Sequence, residues 1–178
     1  MKVNVGLAHL AEHALVPSFS EIFQEHSRYL WRALLGLGVR PGDVDDACQE
    51  VFLIVHRRLP EFDGRALRSW LYAICLRIAS EYRRSARVRK EVPAEELPEA
   101  QSPPKQIESV FTRELGERLL LALERLDEQK RAAFVLYEIQ ELPLREVADA
   151  LGCPLQTAYS RLQAAREQVR HDFDRRAP

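Results

Sequence analysis

Residues 43–90 constrain the fold most, because their apolar side chains recur at the spacing of an α-helix. In 43–58 they follow the pattern i, i+3, i+4, i+7, i+8 and i+11, which places them on one helical face: Val44, Ala47, Cys48, Val51, Phe52 and Val55. The segment 67–84 carries a second face formed by Leu67, Trp70, Leu71, Ile74 and Ile78. The sequence therefore predicts two amphipathic helices joined by a short loop over 60–65.

The second of these helices ends in a basic segment. Residues 65–90 hold eight basic residues and one acid, Glu81, so their net charge is +7, whereas the whole chain carries −1. Aromatic residues lie among them: Phe62, Trp70, Tyr72 and Tyr82. Aromatic rings stack on bases and arginines pair with phosphates, so this segment predicts nucleic-acid binding. Two structural readings compete: Trp70 as a core anchor, which its apolar face favours, and Arg83 to Lys90 as a solvated helix end.

Composition fits a helical, core-forming chain. Of the 178 residues, 46% are hydrophobic and 30% charged, and the 7 glycines are few, which suits one domain or two small ones. No apolar run is long enough to cross a bilayer and no signal segment is present, so we expect a cytoplasmic protein without membrane insertion. Cys48, Cys75 and Cys153 lie far apart and are expected to be reduced thiols.

An acidic, proline-rich segment divides the chain. Residues 91–109 hold four of the ten prolines and have a net charge of −4, a composition that cannot form a core. The predicted organisation is all-α: an N-terminal extension over 1–16, a first helical domain over 17–90, a linker over 91–110 and a second helical domain over 111–174.

The first predicted helix covers about 19–35. Its core face is Phe19, Ile22, Phe23, His26, Leu30, Ala33 and Leu34, where His26 is expected to be a core or boundary residue. Before this helix, His9, Glu12 and His13 match a zinc-protease pattern, so a zinc-dependent hydrolase is a distant alternative. The match is short and lacks a third ligand, and we therefore expect no metal and no cofactor.

The second domain contains a helix-turn-helix pattern over 142–162. Asp127 is expected to cap a helix that includes 132–139. Pro143 then suits a first helical turn, Gly152 ends that helix, and Pro154 lies in the turn before a helix from Leu155. Small and apolar residues form the inner faces: Val147, Ala148, Leu151, Ala158 and Leu162. In such a pair the second helix enters the DNA major groove.

Together these segments resemble a bacterial sigma factor of the extracytoplasmic-function group. The resemblance covers about 19–173 and is densest in VDDACQEVFLIVHR (44–57), LRSWLYAI (67–74) and the helix-turn-helix. It implies a factor that directs core RNA polymerase to promoters and aids their melting, and that is not an enzyme. The implied partners are the β′ clamp helices and β flap of the polymerase, promoter DNA and an anti-sigma factor.

The resemblance also implies which residues act. Polymerase docking falls to Asp46, Gln49, Glu50, Leu53, Ile54 and Arg57. Capture of the melted minus-ten strand falls to Phe62, Arg65, Arg68, Trp70, Tyr72, Arg77, Glu81, Arg83, Arg84 and Arg87. Reading of the minus-thirty-five duplex falls to Gln156, Thr157, Tyr159, Ser160, Arg161, Gln163, Ala164 and Arg166. Arg77, Glu81, Tyr159 and Ala164 depart from the usual family residues.

Two alternatives remain open at this point. A helix-turn-helix regulator could bind duplex DNA without polymerase. Within the sigma-factor reading, Leu53 and Ile54 could pack under the second domain in the free protein, which would cover the docking surface.

Overall fold

A computed structural model describes residues 16–91 and 110–175, and within them all regular structure is helical. The helices are α1 (Phe19–Gly36), α2 (Val44–Arg58), α3 (Leu67–Glu91), α4 (Val110–Glu124), α5 (Glu128–Phe134), α6 (Leu144–Ala150) and α7 (Leu155–Asp174). A 3-10 turn, Leu59–Glu61, follows α2, and a π-helical turn, Val135–Ile139, follows α5. The predicted all-α class is confirmed. The His9/Glu12/His13 pattern and residues 92–109 of the linker lie outside the described residues.

The first domain begins with a well-capped helix. Ser18 accepts the Glu21 backbone N–H at 3.3 Å, and Glu21 accepts the Ser18 backbone N–H at 2.7 Å, so that each satisfies an orphan donor of the other. After α1 the chain turns at Gly38, whose φ of +91° is a left-handed conformation that favours glycine. Asp43 precedes α2 as predicted, but its side chain makes no capping hydrogen bond.

The predicted inner face of α2 is confirmed, since Val44, Ala47, Val51 and Val55 are fully buried. Along α1 one residue departs from the prediction. Phe23 is 48% exposed, because it lies at the edge of the α1–α2 contact instead of under it. The helix α3 continues to Glu91, beyond the expected end near residue 84.

The second domain follows its predicted order with one irregularity. Asp127 caps α5 by accepting the Lys130 backbone N–H at 2.9 Å, as expected. The single helix expected over 132–139 instead widens into a π-helical turn, in which the Gln140 N–H donates to the Val135 carbonyl at 3.0 Å. Such turns interrupt a regular helix, often at functional positions.

The helix-turn-helix prediction is confirmed by α6 and α7. The turn between them passes through Gly152 at a φ of +60°, and the inward residues Ala158, Leu162 and Ala165 of α7 are buried. The helix α7 extends to Asp174.

The two domains share one hydrophobic core, in which buried residues of α1–α3 and of α4–α7 form a continuous cluster. The second domain packs on α1 and α3: α3 contacts α6, and α1 contacts α4 and the π-helical turn. The alternative that Leu53 and Ile54 pack under the second domain is wrong for Leu53, since 55% of Leu53 is exposed. Ile54 is half-buried against the shared core. Among the described residues no helix is both long enough and apolar enough to cross a membrane.

Candidate polymerase and nucleic-acid interfaces

The outward face of α2 carries the residues predicted for polymerase docking. We call Asp46, Gln49, Glu50, Leu53, Ile54 and Arg57 the docking stripe. All are exposed except Ile54, which is half-buried against the core. Leu53 therefore stands as an exposed apolar side chain among charged ones.

One member of the docking stripe is tied to α3. The Tyr82 hydroxyl donates to Glu50 Oε1 at 2.7 Å. Burial raises the pKa of Tyr82 to about 12, and the hydrogen bond to Glu50 acts in the same direction. Tyr82 therefore remains a neutral donor that fixes the Glu50 carboxylate beside the stripe.

An apolar groove lies beside the docking stripe, between α1 and α2. Its volume is about 920 Å³, and Phe19, Phe23, Trp31, Cys48, Phe52 and Leu53 are among its lining residues. The Phe23 and Phe52 rings lie 4.7 Å apart, and the Trp31 indole N–H donates to Asp45 Oδ1 at 2.8 Å. The helical pattern of α1 assigns its aromatic residues to the core and so gives no sign of this groove.

Most side chains predicted for minus-ten capture lie at the surface of α3 and the loop before it. Arg65, Arg77, Arg84 and Arg87 are exposed. Arg77 pairs with the partly exposed Glu81, with Nε and Oε1 3.1 Å apart. Phe62 and Trp70 are half-buried and stack on each other with 4.7 Å between ring centroids.

Three further members of this set are engaged by the second domain. Arg68 donates to the Gln140 carbonyl at 2.6 Å, and the Tyr72 hydroxyl donates to Gln140 Oε1 at 2.8 Å. Tyr72 is only 2% exposed, and burial raises its pKa to about 12. We call the packing of the second domain on α1 and α3 the closed arrangement. In this arrangement Tyr72 offers no surface to a base, because the π-helical turn places Gln140 over it.

Arg83 is the third residue that the second domain engages. It lies beside Arg131 at the domain interface, and we call these two residues the arginine cluster. The Leu37 carbonyl at the end of α1 accepts from Arg83 at 2.8 Å and from Arg131 at 3.3 Å. Arg83 also pairs with Glu128 of α5, with 2.6 Å between Nη2 and Oε1. The cluster places a residue predicted to contact DNA in the domain interface.

Arg131 is the buried member of the arginine cluster. It is 7% exposed and also donates to the carbonyls of Leu123, Glu124 and Leu126 at 2.6, 2.8 and 3.2 Å. Burial lowers the pKa of Arg131, and the neighbouring charge of Arg83 lowers it further. A Cβ on Gly38 would collide with the Arg131 guanidinium. The roles of Arg131 and Gln140 were not predicted from sequence, because they involve partners far away in the chain. Arg131 meets the Leu37 carbonyl, and Gln140 meets Arg68 and Tyr72.

The predicted duplex-reading face of α7 is open. Gln156, Tyr159 and Ser160 are exposed, and the other members are half-buried: Thr157, Arg161, Gln163, Ala164 and Arg166. Arg166 is less available than the rest, because it pairs with Glu138 and its guanidinium lies 5.2 Å from the centroid of the Tyr137 ring.

Comparison with known proteins agrees with this architecture. The family model for Sigma-70 region 2 matches residues 22–89, and that for Sigma-70, region 4 matches residues 116–169. The RNA polymerase sigma factor NccH of Alcaligenes xylosoxydans xylosoxydans is 31% identical over 94% of the chain and 92% of its own length. The extracytoplasmic-function (ECF) RNA polymerase sigma-E factor of Escherichia coli K12 is 31% identical over 77% of both chains. The chain belongs to the extracytoplasmic-function sigma factors.

Another relative is matched over less of its length. The ECF RNA polymerase sigma factor SigE of Mycolicibacterium smegmatis is 31% identical over 89% of this chain, which spans 63% of that relative's length.

Two solved structures share the fold. CnrH in complex with the cytosolic domain of CnrY has a TM-score of 0.69 at 24% identity, covering 89% of each chain. The sigma factor RpoE in complex with the anti-sigma factor NepR from Bartonella quintana has a TM-score of 0.70 at 19% identity, covering 89% of this sigma factor and 98% of RpoE.

Proposed function

We propose that this sigma factor directs core RNA polymerase to its promoters by docking through α2 and reading DNA through α3 and α7. The observation that carries the proposal is the exposed Leu53 on the charged docking stripe. An exposed apolar residue ringed by polar ones is typical of an interface centre. A regulator that bound duplex DNA alone would need only the helix-turn-helix.

The docking stripe fits the β′ clamp helices of the polymerase. Leu53 would supply the apolar contact, and Gln49, Glu50 and Arg57 the polar rim around it. The second domain would contact the β flap, which would bring α7 to the minus-thirty-five element.

The exposed face of α3 fits the melted minus-ten strand. Arg84 and Arg87 would pair with phosphates, and the stacked Phe62 and Trp70 rings would accept an unstacked base. Arg68, Tyr72 and Arg83 would join them only after the second domain moves away. We infer that the closed arrangement is a resting form, and that polymerase favours a separated one.

Regulation by an anti-sigma factor is part of the same proposal. RpoE, which shares this fold, is held by the anti-sigma factor NepR, and we expect a comparable partner here. We also propose that the chain works in the cytoplasm and catalyses no reaction. Within the described residues no group of three or more His, Cys, Asp or Glu side chains could hold a metal ion.

The substitution Leu53→Glu tests the docking assignment. We expect it to weaken binding to core polymerase at least about tenfold, since loss of an interface centre costs more than about 1.4 kcal/mol. The free protein should lose less than about 1 kcal/mol of unfolding free energy, as surface changes usually do. Affinity is measured by titration with core polymerase, and stability by urea unfolding.

Leu53→Met is the matched control, because it keeps an apolar side chain of similar size at the same position. It should bind and initiate like the wild type in promoter-specific transcription with core polymerase. Wild-type binding by Leu53→Glu would refute docking through α2. Tight, sequence-specific duplex binding by the wild type without polymerase would favour the polymerase-independent regulator.

A further inference from the structure

A polar cleft lies between the two domains in the closed arrangement. Its volume is about 460 Å³, and it is lined by α1, by the first turns of α3 and by the residues that end the π-helical turn. A cleft of this volume admits a small molecule. Because both domains supply lining residues, such a molecule would bridge them.

One side chain of the cleft carries a buried donor without an acceptor. Gln140 is 4% exposed, and its Oε1 accepts from the Tyr72 hydroxyl at 2.8 Å. Its Nε2 has no hydrogen-bond partner among the described residues. An unpaired buried donor is costly, so a bound molecule that supplied an acceptor would stabilise this arrangement. The next residue, Glu141, has a left-handed φ of +55°, a strained conformation that is typical of functional segments.

The charges of the cleft differ between its inner part and its rim. Arg68 and His26 are half-buried. Burial lowers the pKa of His26, so Arg68 is the charged member of this inner pair at neutral pH. The charged side chains at the rim are exposed: Glu25, Arg32 and Glu141. The inner part of the cleft is therefore positive, and its rim carries a net negative charge.

An anionic group fits the inner part and a cationic group fits the rim. Arg68 Nη2 donates to the Gln140 carbonyl at 2.6 Å, which leaves further guanidinium N–H groups for a carboxylate. The Gln140 amide supplies another donor, and Glu25 and Glu141 can accept from an ammonium group. The charges of both Glu25 and Arg68 act on His26, so these opposite charges lie near one another, as the two charges of an amino acid do.

Apolar surface completes the site, because Tyr29 and Ile139 line the same cleft. We propose that the cleft binds a free amino acid with an apolar side chain, whose carboxylate meets Arg68 and Gln140 and whose ammonium group meets the rim. A ligand held by both domains stabilises the closed arrangement. At about nine times its dissociation constant it lowers the population of the separated form about tenfold. That this hinders capture of the melted strand, because Arg68 and Tyr72 stay covered, rests on the proposed function.

Titration calorimetry of the full chain with L-phenylalanine and L-leucine tests the ligand class. Two derivatives each lack one charge: N-acetyl-L-phenylalanine has no ammonium group, and L-phenylalanine amide has no carboxylate. We expect each derivative to bind at least about tenfold more weakly than L-phenylalanine, because a charged contact is lost. Absence of saturable binding by both amino acids would overturn the proposal. So would binding of either derivative as tightly as L-phenylalanine, or tighter binding of inorganic phosphate.

Two substitutions test the site itself. Gln140→Glu keeps an acceptor for the Tyr72 hydroxyl but replaces the unpaired donor with a negative charge, so it should weaken L-phenylalanine binding at least about tenfold. Glu25→Gln removes a carboxylate from the exposed rim and should weaken binding about two- to fivefold. Because Glu25 is exposed, this variant tests the site even if Gln140→Glu unfolds the chain.

Glu167→Gln is the matched control for Glu25→Gln. Glu167 is exposed on α7 and lies outside the cleft, so this variant should bind L-phenylalanine like the wild type. Wild-type affinity in both Gln140→Glu and Glu25→Gln would refute the assignment of the site. So would an equal loss of affinity in Glu25→Gln and Glu167→Gln.

Hydrogen exchange measures whether the ligand joins the domains. Saturating L-phenylalanine should slow exchange of the backbone amides over 135–142, since opening of the interface becomes rarer. Binding without this protection would overturn the proposal. Single-stranded minus-ten DNA should bind about tenfold more weakly at about nine times the ligand's dissociation constant. If the amides are protected but DNA binding does not change, the ligand joins the domains as proposed and the role of α3 in strand capture fails.

Discussion

The helices α3 and α7 are both expected to read DNA, yet in the closed arrangement the second domain covers part of α3 and leaves the corresponding face of α7 exposed. On α3, Arg68, Tyr72 and Arg83 are bound by the second domain. On α7, Tyr159 and Ser160 face solvent. Duplex reading is therefore sterically open in the closed form, whereas full capture of the melted strand requires the domains to separate.

The chemistry of the interface suits such an exchange. The guanidinium of Arg83 satisfies its donors on the Leu37 carbonyl and on Glu128 in the closed form, and DNA phosphates offer equivalent acceptors. The apolar part of the interface has no such substitute, because separation exposes the core that the domains share. A partner must therefore supply differential binding energy to open the chain.

The largest change in stability is expected from substitution of Arg131. This side chain joins the two domains through the Leu37 carbonyl, and within the second domain it bonds three carbonyls at the end of α4. Arg131→Met leaves the carbonyls of Leu123, Glu124 and Leu126 without this donor. We expect a loss of about 3 kcal/mol in unfolding free energy, since buried acceptors without partners are costly. Urea unfolding measures it, and Arg131→Lys should give an intermediate loss. A loss under about 1 kcal/mol would show that the arginine cluster does not hold the closed form.

Gly38→Ala targets the interface without removing an arginine. The left-handed φ of +91° strains any other residue, and the new Cβ would push the Arg131 guanidinium away. We expect a loss of about 2 kcal/mol in unfolding free energy. Because the domain interface is weakened, single-stranded minus-ten DNA should bind more tightly, while duplex binding should not change. This result would sharpen the contrast between α3 and α7.

Gly116→Ala is the control for Gly38→Ala. Gly116 lies in α4, and an alanine Cβ there would meet no neighbouring atom within 4 Å, so alanine should raise stability by about 0.5–1 kcal/mol. Its binding of single-stranded DNA should equal that of the wild type. If both variants bound single-stranded DNA more tightly by the same factor, helix stability, and not the domain interface, would control access to α3.

Local features of the fold were predictable from sequence because they depend on residues close in the chain. The inner face of α2 followed from helical spacing, and the boundary between α6 and α7 from Gly152 and Pro154. The cap of α5 followed from Asp127, which bonds a backbone group three residues later. Each signal acts within about one helical turn, where the 3.6-residue period is informative.

The unpredicted features depend on residues far apart in the chain. Arg68 and Tyr72 meet Gln140 across 72 and 68 residues, and Arg131 meets Leu37 across 94. No periodicity encodes such a pairing. The π-helical turn was also missed, because its apolar residues fit an ordinary helix equally well. The docking and DNA-contact roles remain predictions, since burial alone assigns no partner.

The next prediction concerns the exposed face of α7, where we expect a change in free energy similar to or smaller than that of Gly38→Ala. Ala164 and Gln163 are half-buried, and Tyr159 and Ser160 are exposed. None of these four side chains can make the bidentate contact to guanine that an arginine makes. Ala164→Arg should strengthen promoter-duplex binding by about 1–3 kcal/mol if it reaches a base. If it reaches only a phosphate, the salt slope should steepen by about one unit without a change in sequence preference.

Because α7 is already open, the gain from Ala164→Arg should be the same in wild-type and Gly38→Ala backgrounds. Duplex titrations at several salt concentrations in both backgrounds measure it. A gain that appears only with Gly38→Ala would show that the closed arrangement also restricts α7, and the comparison between the helices would fail.

The smallest expected effect is a pH dependence of the closed form through His26. This residue lies in a cleft between the domains together with Glu25, Arg32, Arg68, Gln140 and Glu141. Burial lowers the pKa of His26; the charge of Glu25 opposes this shift and that of Arg68 adds to it. The unfolded chain therefore binds a proton at higher pH than the folded one, and stability falls as pH drops from about 6.5 through the lower folded value.

Urea unfolding above and below this pH window should show a loss of unfolding free energy in the wild type and a smaller loss in His26→Gln. His171→Gln is the control, because His171 is exposed on α7, and it should behave like the wild type. An equal loss in His26→Gln would assign the pH dependence to other groups and leave the interface insensitive to acid.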